Sequence, residues 1–420
     1  MPRARVAFYG DDFTGSVDAL LQFARRGWTG RLFTRLPDAA ALRAAAEEVD
    51  VVGVAGISRS LAPADMDGEL RPVFAAFAEL RPDVVQYKAC STADSAPGVG
   101  SLGRVVELAR EVFGDRTVPM LFAQPDFGRY TLFGQHFAAE RGTVYRLDRQ
   151  PTMSQHPSTP MTEADLAVHI GRQTDLPVGA IPLVAYDELE ALLRRAPEAA
   201  VVLDALTDEH LVAIGSAVTR LPSPVFAIGS GGLSHGIAAA SPGDAPSPPT
   251  STGASGPVLA VSGSRSAQTR RQADAAAAAG WLVRPLPLDA TGVAEALPEI
   301  VSALRSDRGV VLTSDDAATG AGDGTRLLEA IAAAAASVIS AVAREGASRR
   351  VIVCGGDTSS RVTRLLGVQA LSIAANPWGN VVLLRAHAAD PAVDGVELLL
   401  KGGQVGADSL FIDVATLGPR

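Results

Sequence analysis

The chain has only two cysteines in 420 residues, Cys90 and Cys354, far apart and without metal-ligand spacing. Neither a disulfide framework nor a cysteine-held metal centre is expected from them. Aromatic residues make up 5%, too few for a base-stacking platform. A net charge of -9 repels a phosphate backbone, so nucleic acid is excluded as a partner. The longest apolar run, Ala330 to Ala343, is mostly alanine and falls short of the roughly 18 residues that a bilayer span needs. The start, MPRARVAFYGDDF, holds too short an apolar stretch for a signal peptide. No internal repeat at solenoid periods is evident, and no G-x-G-x-x-G follows a β-rich run, so a dinucleotide fold is not indicated. What remains is the expectation of a soluble, cytoplasmic protein with a small-molecule partner and no membrane; a homo-oligomer stays open.

Lysine is the sharpest shortage. Of 37 basic residues only Lys88 and Lys401 are lysines. A compact ammonium does things a planar guanidinium does not, so two survivors in an arginine-rich chain invite inspection of their surroundings.

Hydrophobic residues at 47% and charged residues at 20% are enough to bury a large core, and at about 150 residues per domain the length allows two or three domains. Residues 241–257, SPGDAPSPPTSTGASGP, carry one charge and no large hydrophobe. Such a stretch reads as an exposed linker between domains at 1–240 and 258–420. In the first part, apolar runs at Arg5–Tyr9, Val51–Ala55, Val84–Lys88, Pro119–Ala123, Val201–Asp204 and Val225–Gly229 alternate with helical patterns such as Val17–Arg26, Pro72–Leu80 and Glu188–Arg195. The second part repeats the style at Val258–Ser262, Gly309–Thr313 and Val351–Cys354. The alternation predicts an α/β fold of two domains, each a mainly parallel sheet flanked by helices, facing each other across a cleft. Ligands of such sheets bind at the carboxyl ends of the strands, so the residues just after each run are where function is sought.

The first run leads into Gly10-Asp11-Asp12-Phe13-Thr14-Gly15-Ser16, spaced like a phosphate loop but without its lysine. Two adjacent aspartates would repel a triphosphate and suit hydroxyls, a lysine partner or a magnesium ion better. One of them is explained equally well as the cap of a helix at Val17. After Val84–Lys88 comes Ala89-Cys90-Ser91-Thr92-Ala93-Asp94-Ser95. Lys88 would meet a carboxylate while Ser91, Thr92 and Asp94 read hydroxyls, a cradle for a small polyhydroxy acid; a polar loop with a capping serine fits the segment as well. Gln124–Arg129 and His156–Met161 are irregular and proline-containing, and a lone His156 is more often structural than catalytic. In the second part, Gly263–Thr269 and Gly355–Ser360 each stand between a β-rich run and a helix, and Lys401-Gly402-Gly403-Gln404-Val405-Gly406 places the other lysine among three glycines. Small residues at a strand-to-helix turn let backbone N–H groups approach a phosphate. A ligand-binding first domain and a phosphate-binding second one suggest phosphoryl transfer.

DDFTG at Asp11–Gly15, HPSTPM at His156–Met161, SGSRSAQT at Ser262–Thr269, GGDTS at Gly355–Ser359 and KGGQVG at Lys401–Gly406 together resemble the four-carbon acid sugar kinase family, in the family's order along nearly the whole chain. The resemblance implies ATP-dependent phosphorylation of acid sugars such as threonate, erythronate or their 3-oxo forms. It places the nucleotide against Ser264, Gly355, Gly356, Asp357, Thr358 and Gly403, and the acid near Asp11, Asp12, Lys88, Ser91, Thr92 and Asp94. Lys401 is added as a phosphate contact because an ammonium approaches β/γ oxygens as a point charge. Asp12, or equally Asp11, would accept the substrate hydroxyl's proton; Mg²⁺ would neutralise the phosphates, with no side chain assigned to hold it. KACSTADSAPGVGS at Lys88–Ser101 departs from the family's commoner KIDSTLRGN, and KGGQVG from KSGNFG; both variants are similar to a subgroup that includes 3-oxo-isoapionate kinases. A non-catalytic sugar-acid sensor is the alternative from another class.

Overall fold

The computed structural model describes residues 4–252, 256–314 and 324–417. The chain divides into two compact units, Met1–Ser247 and Pro248–Arg420.

Unit 1 holds strands β1 (Val6–Gly10), β2 (Gly30–Phe33), β3 (Val51–Ala55), β4 (Val84–Lys88), β5 (Val118–Leu121), β9 (Val178–Ile181), β10 (Ala200–Leu203) and β11 (Val225–Gly229) in one sheet. Their order is β2-β3-β1-β4-β11-β5-β10-β9, and every pairing is parallel. The central strands are buried from end to end, so they read as continuous apolar runs rather than alternating ones. Helices α1 (Phe13–Ala24), α2 (Ala39–Glu48), α3 (Pro63–Leu80), α4 (Leu102–Phe113), α5 (Pro151–Ser154), α6 (Leu166–Gly171), α7 (Leu189–Arg195), α8 (Asp208–Thr219) and α9 (Gly231–Ala240) connect them. Strand order reverses at β1, whose neighbours are β3 on one side and β4 on the other; this switch point is where a parallel sheet opens a crevice.

Two helices start earlier than their sequence patterns suggest. α1 begins at Phe13, not Val17, because the Asp12 carboxylate accepts the Gly15 N–H at 2.7 Å and caps it there. α3 begins at Pro63, and Pro72 lies inside it, because the buried stripe Met66, Leu70, Val73, Phe74, Phe77 and Leu80 continues through both prolines. A separate antiparallel sheet of β6 (Arg129–Leu132), β7 (Gln135–Glu140) and β8 (Thr143–Arg146) has no counterpart in the sequence reading. Its β6–β7 turn, with Phe133 and Gly134 at positive φ, is fastened by the buried Asp204 carboxylate, which accepts both backbone N–H groups at 2.6 and 2.9 Å.

Unit 2 holds β12 (Val258–Ser262), β13 (Leu282–Pro285), β14 (Val310–Thr313), β15 (Arg350–Cys354), β16 (Val368–Trp378), β17 (Val381–Ala388) and β18 (Glu397–Lys401). The order β13-β14-β12-β15-β18 is parallel, and β17 and β16 extend it as antiparallel strands. Helices α10 (Ala267–Ala278), α11 (Ala290–Arg305), α12 (Gly324–Arg344), α13 (Gly356–Leu365) and α14 (Leu410–Ala415) complete it. The switch point lies between β12 and β15. α12 extends the alanine-rich run, and over Arg326–Arg344 it is long and apolar enough to cross a membrane by length and composition, contrary to the reading from the run alone. Ile331, Ala332, Ala335, Val338, Ile339 and Val342 are buried inside unit 2, as in a core helix.

The segment 241–252 is tethered rather than free. Gly243 and Ala245 donate N–H bonds to Arg26 and Gly27 carbonyls in unit 1. In unit 2, buried Thr252 accepts from Arg350 at 2.7 Å and donates to Glu397 at 3.0 Å. Arg350 and Glu397 form an ion pair at 2.9 Å with both side chains 3% exposed. Removing one member of such a pair strands the other charge inside. Glu397→Ala is expected to cost unit 2 about 3–5 kcal/mol in urea unfolding, whereas exposed Arg271→Ala costs about 0–1 kcal/mol.

Candidate active site

Parallel register lines up the strand ends of unit 1. Ala55, Gly10, Lys88 and Gly229 sit side by side on β3, β1, β4 and β11, and the chain leaves each strand there. Gly10 accommodates this crowding: a Cβ would lie 1.9 Å from Ser16 Oγ. Asp11 follows, 2% exposed, and Asp12 is half-buried. Arg59 reaches both from the short turn Ser58–Ser60 after β3. Its Nη2 and Nε donate to the two Asp11 oxygens at 2.6 and 3.1 Å, and its Nη1 donates to Asp12 Oδ2 at 2.9 Å. Burial pushes the Asp11 carboxyl up, opposed chiefly by the Arg59 guanidinium; the two carboxylates hold that guanidinium firmly charged against its own burial.

Lys88 is 3% exposed. Its Nζ donates to the Ala89 carbonyl at 3.0 Å and lies 3.7 Å from Asp18 Oδ2. It also lies so close to the first turn of α1 that a Cβ on Gly15 would be 3.0 Å away. Asp12, Lys88 and the start of α1 therefore form one cluster. Gln22 and Gln124 donate to the Asp18 carboxylate at 3.1 and 3.3 Å.

The loop after Lys88 uses its groups unevenly. The Ser91 carbonyl lies 2.8 Å from His136 Nε2, and the Thr92 hydroxyl lies 3.0 Å from Cys90 Sγ. His136 is buried, which holds its imidazole down to about 3 and therefore neutral. Asp94 Oδ1 accepts the Thr159 hydroxyl, which also lies 2.7 Å from His156 Nδ1. The HPSTPM segment is thus brought onto the loop that follows β4.

Sequence reasoning missed Arg59, Asp18 and Gln124. Arg59 and Gln124 follow β3 and β5, so the strand-end rule pointed at their loops, but one arginine does not stand out in an arginine-rich chain. Asp18 is a turn inside α1, where the cap aspartates drew attention instead.

In unit 2 the register Ser262–Cys354–Lys401 on β12, β15 and β18 puts the three glycine loops along one sheet edge. Gly403 touches the first loop: a Cβ there would lie 2.3 Å from Ser264 Oγ. Its carbonyl accepts from Ser266 at 2.5 Å and Thr269 at 2.9 Å. Gln272 Nε2 holds the rest of the loop through the Val405 and Ala407 carbonyls at 3.0 and 2.9 Å. Gly263 cannot carry a side chain, since its Cβ would lie 2.2 Å from the Oγ1 of buried Thr358. Ser266 caps α10, but no side chain caps α13, whose first residues Gly356 and Asp357 are exposed behind Gly355 at φ 111°. The dipole of a helix start favours an anion in general, while Asp357 adds a negative charge to this first turn. Lys401 is 2% exposed and donates from Nζ to Thr269 Oγ1 at 3.1 Å, so it lies beneath the Gly403 loop. Burial pulls its ammonium down and pushes neighbouring Cys354 up to about 11.

Two family models match this chain: a sugar-binding N-terminal domain over residues 6–237 and a nucleotide-binding C-terminal domain over residues 259–411. The chain is 37% identical to a 3-oxo-isoapionate kinase of Paraburkholderia graminis, over 97% of this chain and 93% of that protein. It is 30% identical to a 3-oxo-tetronate kinase of Pseudomonas fluorescens, over 98% of this chain and 96% of that protein. A crystal structure of a Haemophilus influenzae protein from a domain-of-unknown-function family shares the fold, with TM-score 0.75, 20% identity, and 97% of this chain and 98% of that one covered. Matched in both of its parts, and along nearly its whole length by relatives at 30% identity and above, the chain belongs to the four-carbon acid sugar kinase family.

Proposed function

We propose that this protein transfers the γ-phosphoryl of ATP to a hydroxyl of a small acid sugar, and that its substrate is a branched five-carbon acid of the 3-oxo-isoapionate type. The observation that carries the substrate choice is the 37% identity to a 3-oxo-isoapionate kinase, against 30% to the 3-oxo-tetronate kinase. Unit 1 takes the acid and unit 2 the nucleotide, in line with the two domain models.

The acid's carboxylate lies toward Lys88, whose ammonium has three N–H bonds and gives one to Ala89. Asp94, with Ser91 and Thr92 on the same loop, reads hydroxyl groups. Asp12 is the base: it takes the proton of the attacking hydroxyl as that oxygen bonds to the γ-phosphorus, while the bond to the β–γ bridging oxygen breaks and ADP leaves with the electron pair. Asp11 sits deeper and serves Asp12's surroundings. In unit 2 the phosphates lie at the uncapped start of α13, on Gly355, Gly356, Asp357 and Thr358, with Ser264 and Gly403 alongside. Lys401 adds positive charge from beneath the Gly403 loop.

Mg²⁺ would neutralise the phosphate oxygens when bound. Among the described residues no group of three or more His, Cys, Asp or Glu could hold a metal ion, and Asp11 and Asp12 are both engaged by Arg59. The side chains do not fit a cation held by protein alone; such an ion would be carried on the nucleotide.

Release of ADP from ATP is expected to be fastest with 3-oxo-isoapionate in a panel with 3-oxo-tetronate and D-threonate. No release with any of them would overturn the kinase reading, and a preference for the tetronate would overturn the substrate choice. Asp12→Asn is expected to lower kcat by about 10²–10⁴ with little change in either KM. Lys88→Ala is expected to abolish binding of the acid while calorimetry still detects ATP. Gly403→Ala is expected to do the reverse, raising the KM for ATP because the new methyl enters the space of Ser264 Oγ.

A further inference from the structure

Asp11 and Asp12 are consecutive, and both carboxylates stand at the end of β1, one buried and the other 33% exposed. Carboxylates this close disfavour each other's ionisation, and burial adds to the effect. A single guanidinium meets both, with two N–H bonds to Asp11 and one to Asp12.

That guanidinium is built in. The turn that carries it is fixed by the Tyr9 hydroxyl, which accepts from Ile57 N at 3.1 Å and Ser58 N at 3.3 Å. Ser58 Oγ lies 2.9 Å from Tyr87 Oη, and Arg59 N donates to the Asp11 carbonyl at 3.2 Å. Tyr9 and Tyr87 stack at 5.7 Å beneath the turn. Gly56 lets the chain pass over them, since a Cβ there would lie 1.8 Å from Tyr9 Oη.

We propose that Arg59 is a positioning residue for the phosphoryl transfer: by bridging Asp11 and Asp12 it holds the two carboxylates in one arrangement and aims Asp12 at the substrate hydroxyl. This rests on the kinase reading above, with Asp12 as base. The groups facing the pair come from several elements. Asp11 faces Arg59, Asp12 and Lys88, with the Tyr87 hydroxyl on β4. Arg59 faces both aspartates and the Cys90 thiol from the loop after β4. Lys88 faces Asp18 on α1, and Tyr9 faces Glu69 on α3. Arg59 is the strongest influence opposing the burial of Asp11, ahead of Lys88. Without it the Asp11 carboxyl binds a proton more tightly, so a proton enters the site beside Asp12 at a higher pH as the solution is acidified.

The test measures kcat against pH for wild type, Arg59→Met and Arg59→Lys, together with ¹³C-NMR titration of the aspartate carboxyls in full-length protein. In Arg59→Met the acid limb is expected to move up by about one pH unit or more, so that the loss relative to wild type grows as the pH falls and approaches about ten-fold only below both limbs. The carboxyl titration of the pair is expected to move with it. Arg59→Lys, which supplies charge without the fork, is expected to recover part of both shifts and serves alone if the methionine variant does not fold. An equal loss at every pH, or a rise confined to the KM of the acid, overturns the proposal. The NMR titration needs no turnover: an inactive wild type refutes the kinase reading, whereas unmoved carboxyls in an active enzyme refute the role of Arg59 alone.

Discussion

Parallel register is the constraint on which the rest of the molecule depends. A strand in a parallel sheet cannot slip by one residue without turning its whole side-chain set to the other face. Because β3, β1, β4 and β11 are locked together, residues far apart in the chain leave the sheet in one row, Ala55, Gly10, Lys88 and Gly229. The same holds for Ser262, Cys354 and Lys401 in the second unit. Each row lies at or beside a point where strand order reverses, the place where parallel sheets generally bind their ligands.

Charge is then placed inside that framework at considerable desolvation cost, and each buried charge is met by partners. Asp11 has Arg59, Lys88 has Asp18, and Arg350 has Glu397 with Thr252 between them. Lys401 donates instead to the Thr269 hydroxyl beside the Cys354 thiol, and burial draws its ammonium down. The two lysines, alike in sequence as rare survivors, thus have different surroundings: one is in an acidic cluster, the other supports a glycine loop from below.

Much of the framework was legible in advance. The buried strands Val51–Ala55, Val84–Lys88, Val225–Gly229 and Val258–Ser262 occupy the residues their apolar runs predict, because a strand covered on both faces must be apolar throughout. Short or less apolar strands such as Gly30–Phe33 and Val178–Ile181 were not legible, since their pairing partners and not their own composition make them strands. The β6–β8 sheet is polar and turn-rich, and it is organised from outside its own sequence by Asp204 and by the Ser91 carbonyl, which meets His136 on β7.

Sequence alone determined the strand–helix alternation, the two-part organisation and the glycine loops, because these follow from local composition and spacing. Only the tertiary structure decided which charges meet. That Asp12 both caps α1 and shares Arg59 with Asp11, that Thr159 reaches Asp94, and that Ser264 presses on Gly403 depend on contacts between residues 47 to 139 positions apart or on the exact start of a helix. Such contacts are set by sheet register and close packing, and no local pattern encodes them.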